Sequence, residues 1–128
     1  MVRSASAFAL ITLVALLGAP HGALADSSGA GEARVIAERD EFVSLVEGRA
    51  LKRFGIRLDV SPGGEITGSA FGREVTGAWR WEGGFFCRDL RVGGEDLGPN
   101  CQRVELRGGK LRFIADRGAG DHADLRLD

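Results

Sequence analysis

The chain has 128 residues, with 17 basic against 18 acidic side chains, two cysteines and two histidines. Arginine alternates with aspartate and glutamate along it, so there is no one-signed basic patch to neutralise phosphates, which excludes nucleic acid as a partner. Only His122 lies beyond the first 25 residues, which leaves a Ser-His-Asp triad one place to find its base and a histidine-rich zinc site no second ligand; no metal and no cofactor are expected.

Arg3, the apolar run from Ala7 to Leu17 and the Ala23-Leu24-Ala25 before Asp26 form the charged, apolar and small-residue regions of a secretory signal peptide over residues 1–25. Cleavage is predicted after Ala25. Gly18, Pro20 and His21 interrupt the run, and no later segment is long enough to cross a bilayer, so the mature chain is expected to carry no membrane span. The protein is therefore expected in the periplasm or secreted. The mature 103 residues hold 16 basic and 18 acidic side chains, a net charge of about −2. Residues 26–34, Asp-Ser-Ser-Gly-Ala-Gly-Glu-Ala-Arg, have the composition of a flexible tail, and residues 35–128 of a single β-rich domain.

From Glu38 to Glu47 the spacing of Phe42, Leu45 and Val46, with acidic residues in the first turn and Gly48 just past the end, predicts the one helix. Its narrow apolar face suits packing on the edge or mouth of a sheet. After Gly48 the period becomes two. Ile56, Leu58 and Val60 alternate with Arg57 and Asp59; Ser61-Pro62-Gly63-Gly64 breaks the run before Glu65-Ile66-Thr67-Gly68. Val75, Trp79 and Trp81 share a parity, Gly83-Gly84 turns the chain into Phe85-Phe86-Cys87, and Val104-Leu106, Leu111-Phe113 and Leu125-Leu127 repeat the pattern. Short strands joined by glycine-rich turns make an antiparallel meander. The fold class is mainly β, closing as a barrel or strongly curved sheet of six to eight strands capped by the helix, with a two-sheet sandwich as the alternative.

Cys87 and Cys101, an even pair in an exported chain, are expected to form a disulfide. Asp96, Gly98, Pro99 and Asn100 break the return from Gly93-Gly94, so the bond is expected to staple a wide loop, with a structural role. Trp79, Trp81 and Phe85 concentrate aromatic area that fills the core or lines a ligand cavity, and inward indoles need hydrogen-bond partners. The arginines read as the solvated outer faces of strands. Asp116, Arg117, Asp121, His122 and Asp124, with Gly118 and Gly120 between, form a polar turn that is the one candidate ion or catalytic site. Its spacing lacks the glycine and ligand positions of a calcium loop, and no nucleophile accompanies it.

The run Trp79-Arg80-Trp81-Glu82-Gly83-Gly84-Phe85-Phe86-Cys87-Arg88-Asp89-Leu90, then Gly93 to Gly98, Asn100-Cys101-Gln102 and Asp116 to Asp121, resembles a group of small exported bacterial β-rich proteins of unknown function. Some of these carry the name dihydrodipicolinate reductase. That enzyme needs a glycine-rich nucleotide-binding turn between strand and helix and paired catalytic histidines; a solitary His122 and period-two strands supply neither. The resemblance implies export and transfers no activity. The expected role is a non-enzymatic envelope protein that binds a small apolar or amphipathic ligand or a protein partner; the alternative is a periplasmic enzyme using carboxylates near Asp116 and Asp121.

Overall fold

The computed structural model describes residues 33–128, so the signal region and most of the predicted tail lie outside the described residues. Eight strands form a closed antiparallel barrel: β2 (Ala50–Arg53), β3 (Ile56–Val60), β4 (Glu65–Ala70), β5 (Arg73–Glu82), β6 (Phe85–Val92), β7 (Glu95–Arg107), β8 (Lys110–Ile114) and β9 (His122–Leu127). Each pairs with its neighbour in sequence, and β9 returns to β2 to close the ring. The barrel is thus the predicted meander, with nothing left of the sandwich alternative.

A ninth strand, β1 (Ala33–Ile36), precedes the barrel and pairs with the C-terminal part of β7, from Ala33 opposite Arg107 to Ile36 opposite Val104. It occupies the edge of β7 beyond Gln102, where the β6 pairing ends. Ala33 and Arg34, placed in the tail by their composition, therefore belong to this strand. The pairing supplies the ladder that a four-residue segment cannot supply alone, and Ile36 is fully buried at its end.

Inward positions follow the period of two. Val60, Ile66, Val75, Phe86, Val104, Leu111 and Leu125 all contribute to one buried cluster. Closing eight strands needs tight backbone approach on one wall, and two glycines permit it. A Cβ on Gly68, whose φ is +147°, would lie 2.0 Å from the Arg57 carbonyl oxygen, and one on Gly77 would lie 2.2 Å from that of Asp89.

Helix α1 (Arg39–Val46) lies across one end of the barrel. Phe42 is fully buried beneath it, with its ring centroid 5.3 Å from Trp79, 5.2 Å from Trp81, 5.0 Å from Phe86 and 6.4 Å from Phe113. Val46, one turn on, is buried beside it, while Leu45 is half-buried. An eight-residue helix is too short to hold its shape in water by itself, so this aromatic packing is what fixes it. None of the helices among the described residues is long and apolar enough to cross a membrane.

Cys87 and Cys101 form the expected disulfide, but as a cross-strand pair rather than a staple over a wide loop: the two residues are directly opposite in the β6–β7 ladder, with Cα atoms 3.9 Å apart. Two features keep the return strand regular. Leu97 is an extra residue taken up by a bulge where the register shifts between Leu90 and Arg91. The short Cα separation marks a non-hydrogen-bonded pair, a state that Pro99, two residues before Cys101, shares, so its missing N–H costs no bond to β6.

Candidate functional site

Up-and-down connectivity puts the β2–β3, β4–β5, β6–β7 and β8–β9 connections at the end opposite the helix, and here the barrel is open. One reason is the short seam between β2 and β9, where Leu51 pairs with Leu127 and Lys52 with Arg126, and Ala50 and Asp128 exchange backbone hydrogen bonds at the helix end. Above it the two strands separate, and a cavity of about 300 Å³ enters the barrel. Its floor is Phe86 and Phe113, the same rings that touch Phe42 from below. Leu51, Leu58 and Leu125 wall it on one side and Ile66 and Leu90 on others, so its surface is mostly apolar.

Five polar side chains interrupt that surface. Arg53, Asp121 and His122 stand at the rim; Arg88 and Gln102 lie deeper, with Arg88 between Phe86 and Leu90 on the inward face of β6. Arg88 donates from Nη1 to the Gly98 carbonyl at 2.9 Å. Burial lowers its basicity, partly offset by the neighbouring Asp89 carboxylate. Beside the opening, Phe54 is 91% exposed and Phe71 67% exposed, with ring centroids 6.5 Å apart. The two turns that carry them are tied by the Phe71 N–H donating to the Gly55 carbonyl at 2.7 Å. Phe71 holds a φ of +50°, which costs a residue with a side chain about 1 kcal/mol or more.

The predicted aromatic site sits elsewhere. Trp79 and Trp81 do point inward together, but at the helix end, and neither lines the cavity. Their indole N–H groups have found backbone acceptors, Ser61 at 2.8 Å and Ala37 at 2.9 Å. The Arg39 guanidinium covers the Trp79 ring at 5.2 Å. Phe85 is half-buried on the outward face, under the guanidinium of Arg117 at 5.2 Å.

The polar residues of 116–124 do not form one site. Asp116 accepts from Asn100 Nδ2 at 2.8 Å and its own N–H donates to Asn100 Oδ1 at 3.1 Å, which pins the short 3-10 turn Asp116–Gly118 to β7. Arg117 turns to Phe85, and Asp124 faces outward to Arg112, which donates to both carboxylate oxygens at 2.7 and 2.9 Å. That bidentate bond holds the Asp124 carboxyl below the usual carboxylate range. Only Asp121 and His122 reach the cavity. Among the described residues the one trio of metal-ligand types that converges is Glu82 with Cys87 and Cys101, whose sulfurs are spent in the disulfide. Outside the cavity, Glu105 is only 5% exposed and is held by Arg103 and Arg107, each at 2.8 Å.

No protein-family model, curated protein or solved structure gives a match to this chain. The residue that the sequence reading passed over is Arg88, grouped there with the solvated arginines. Its signal was present: Phe86 and Leu90 are apolar at a spacing of two on either side of it, and a charge on the apolar parity of a strand is a charge directed at the interior.

Proposed function

We propose that this chain is an exported envelope protein that binds a small apolar or amphipathic ligand in its mouth cavity and catalyses no reaction. The observation that carries the reading is the cavity itself: about 300 Å³, walled by aliphatic side chains, open at one end and floored by an aromatic plug at the other. Its volume falls at the lower end of the range for small-molecule sites, and a largely apolar lining with a few polar groups is their usual composition. The disulfide fits an oxidising compartment. The carboxylate-enzyme alternative, built on Asp116 and Asp121, draws less support, because Asp116 is committed to Asn100 and only Asp121 reaches the cavity.

The test is binding of the neutral dye N-phenylnaphthylamine, followed by its fluorescence. The mature protein is expected to bind it at one site, and Ala123→Trp, which puts an indole into the cavity beside Phe113, to lose that binding while melting normally. Equal binding by both proteins would count against the cavity. A protein partner has its own support in the exposed Phe54 and Phe71. On that reading a protein that co-purifies from the cell envelope is lost from the Phe54→Ser, Phe71→Ser double variant, which keeps dye binding.

A further inference from the structure

We infer that the ligand of the mouth cavity is an anionic amphiphile, a medium-chain carboxylate whose head group is held by Arg88 and Gln102 and whose chain lies against Leu51, Leu58 and Leu125. This rests on the reading of the cavity as a ligand site and specifies its chemistry.

Arg88 is the reason. A half-buried guanidinium gives up part of its hydration, a cost that a counter-charge or further acceptors offset. Of its five donors, one is used, on the neutral carbonyl of Gly98, and it makes no ion pair among the described residues. Its sequence neighbour Asp89 is on the opposite, outward parity, and the nearest acidic group in the cavity lining, Asp121, stands at the rim with His122. Arg80, Arg91, Arg103, Arg107, Arg112 and Arg126 are on the outward parity of β5 to β9, most of them in ion pairs with Glu82, Asp96, Glu105 and Asp124, and Arg73, at the exposed start of β5, pairs with Glu95. Of the two arginines that line the cavity without an ion pair among the described residues, Arg53 stands at the exposed rim and Arg88 lies inside.

A carboxylate fits what is left. The planar fork of a guanidinium matches the two oxygens of a carboxylate, and its Nη1 bond to Gly98 fixes the fork in place without consuming it. Gln102, on the same inward face of β7, adds an amide that donates to the same head group. A phosphate head carries more charge, and phosphate and sulfate heads more oxygens, than one arginine and one amide satisfy. A cavity of about 300 Å³, at the small end of ligand sites, suits a medium chain such as that of octanoate better than a long one.

The experiment is displacement of N-phenylnaphthylamine by octanoate, octanol and octylamine, at neutral pH, from the wild type and from Arg88→Gln. Octanoate is expected to displace the dye at a concentration lower than octanol by about tenfold or more, as a charged hydrogen bond implies, with octylamine weakest. In Arg88→Gln the two ligands should come within about twofold, chiefly through weaker octanoate binding. Octanol and octanoate equal in the wild type overturns the inference while leaving the cavity as an apolar site, and so does an octanoate preference that survives in Arg88→Gln. Failure of the dye itself to bind overturns the cavity reading. The wild-type ranking stands as a test on its own if Arg88→Gln does not fold.

Discussion

Replacing Phe42 with alanine tests whether the helix is a plug that the barrel needs or a decoration on it. The ring is fully buried and lies within 6.4 Å, centroid to centroid, of four other aromatic rings from β5, β6 and β8. Truncating such a side chain removes its transfer free energy and leaves a void that neighbours on a closed barrel fill poorly, a loss of about 3–5 kcal/mol. A domain of this size has about 5–15 kcal/mol in total, so the variant is expected near the limit of folding. At about 4–8 °C per kcal/mol, its melting temperature should fall by at least about 12 °C. Urea unfolding followed by tryptophan fluorescence is the assay, because Trp79 meets Phe42 edge-on and Trp81 stacks on it, so their emission should shift to the red even before unfolding. Leu45→Ala, at a half-buried position on the same helix, is the control and should lose much less. A loss below about 1.5 kcal/mol for Phe42→Ala would refute the plug, since it would mean that the aromatic cluster closes without the helix.

Other expectations are independent of that one. Joint Cys87→Ala and Cys101→Ala substitution removes a cross-link across a short hairpin loop and should cost about 3 kcal/mol in urea unfolding, and alkylation of the unreduced wild type should label no thiol. The Arg112 bond depresses the folded-state pKa of Asp124, so its contribution is fully present above the unfolded value of about 3.9 and is lost as pH falls through the folded one. Asp124→Asn should therefore be less stable than wild type at neutral pH, with the gap closing as pH drops below about 4; a gap that stays constant contradicts the pairing. Phe71→Gly relieves a left-handed residue and should raise stability by up to about 1 kcal/mol, less whatever the Phe54 contact contributes. A clear loss of stability would show that the phenylalanine pair holds the two turns together.

The fold was legible where a periodic pattern met clear punctuation. Ile56 to Val60, the Trp79–Trp81 strand and the last three strands all alternate between glycine-rich turns, and the helix has both its apolar spacing and its stop at Gly48. The strands that left no such mark are β1 and β2. Each has four residues, too few to show alternation, and each exists because a partner strand offers it a ladder. The cysteine pair misled for a different reason: Asp96 to Asn100 has loop composition, and only the placement of the bulge at Leu97 and of Pro99 away from β6 lets it be strand. The candidate site was read less well. Tryptophans at the same parity correctly pointed inward, but which end of a barrel stays open depends on where the helix docks and on the short seam between β2 and β9, neither of which is local in sequence. Asp124 and His122 are two residues apart, yet one faces Arg112 outside and the other reaches the cavity rim.

The central claim, that the open mouth and not the tryptophan end is where this protein meets its ligand, is tested most directly by an NMR titration of the mature protein with octanoate. The expected result is saturable shifts of the Leu51, Leu58, Leu90 and Leu125 methyl groups and of the Arg88 side-chain N–H signals, while the indole N–H resonances of Trp79 and Trp81 stay in place on their backbone acceptors. Saturable shifts of the two indoles with the leucines unmoved, or no saturable shift at all, would contradict it.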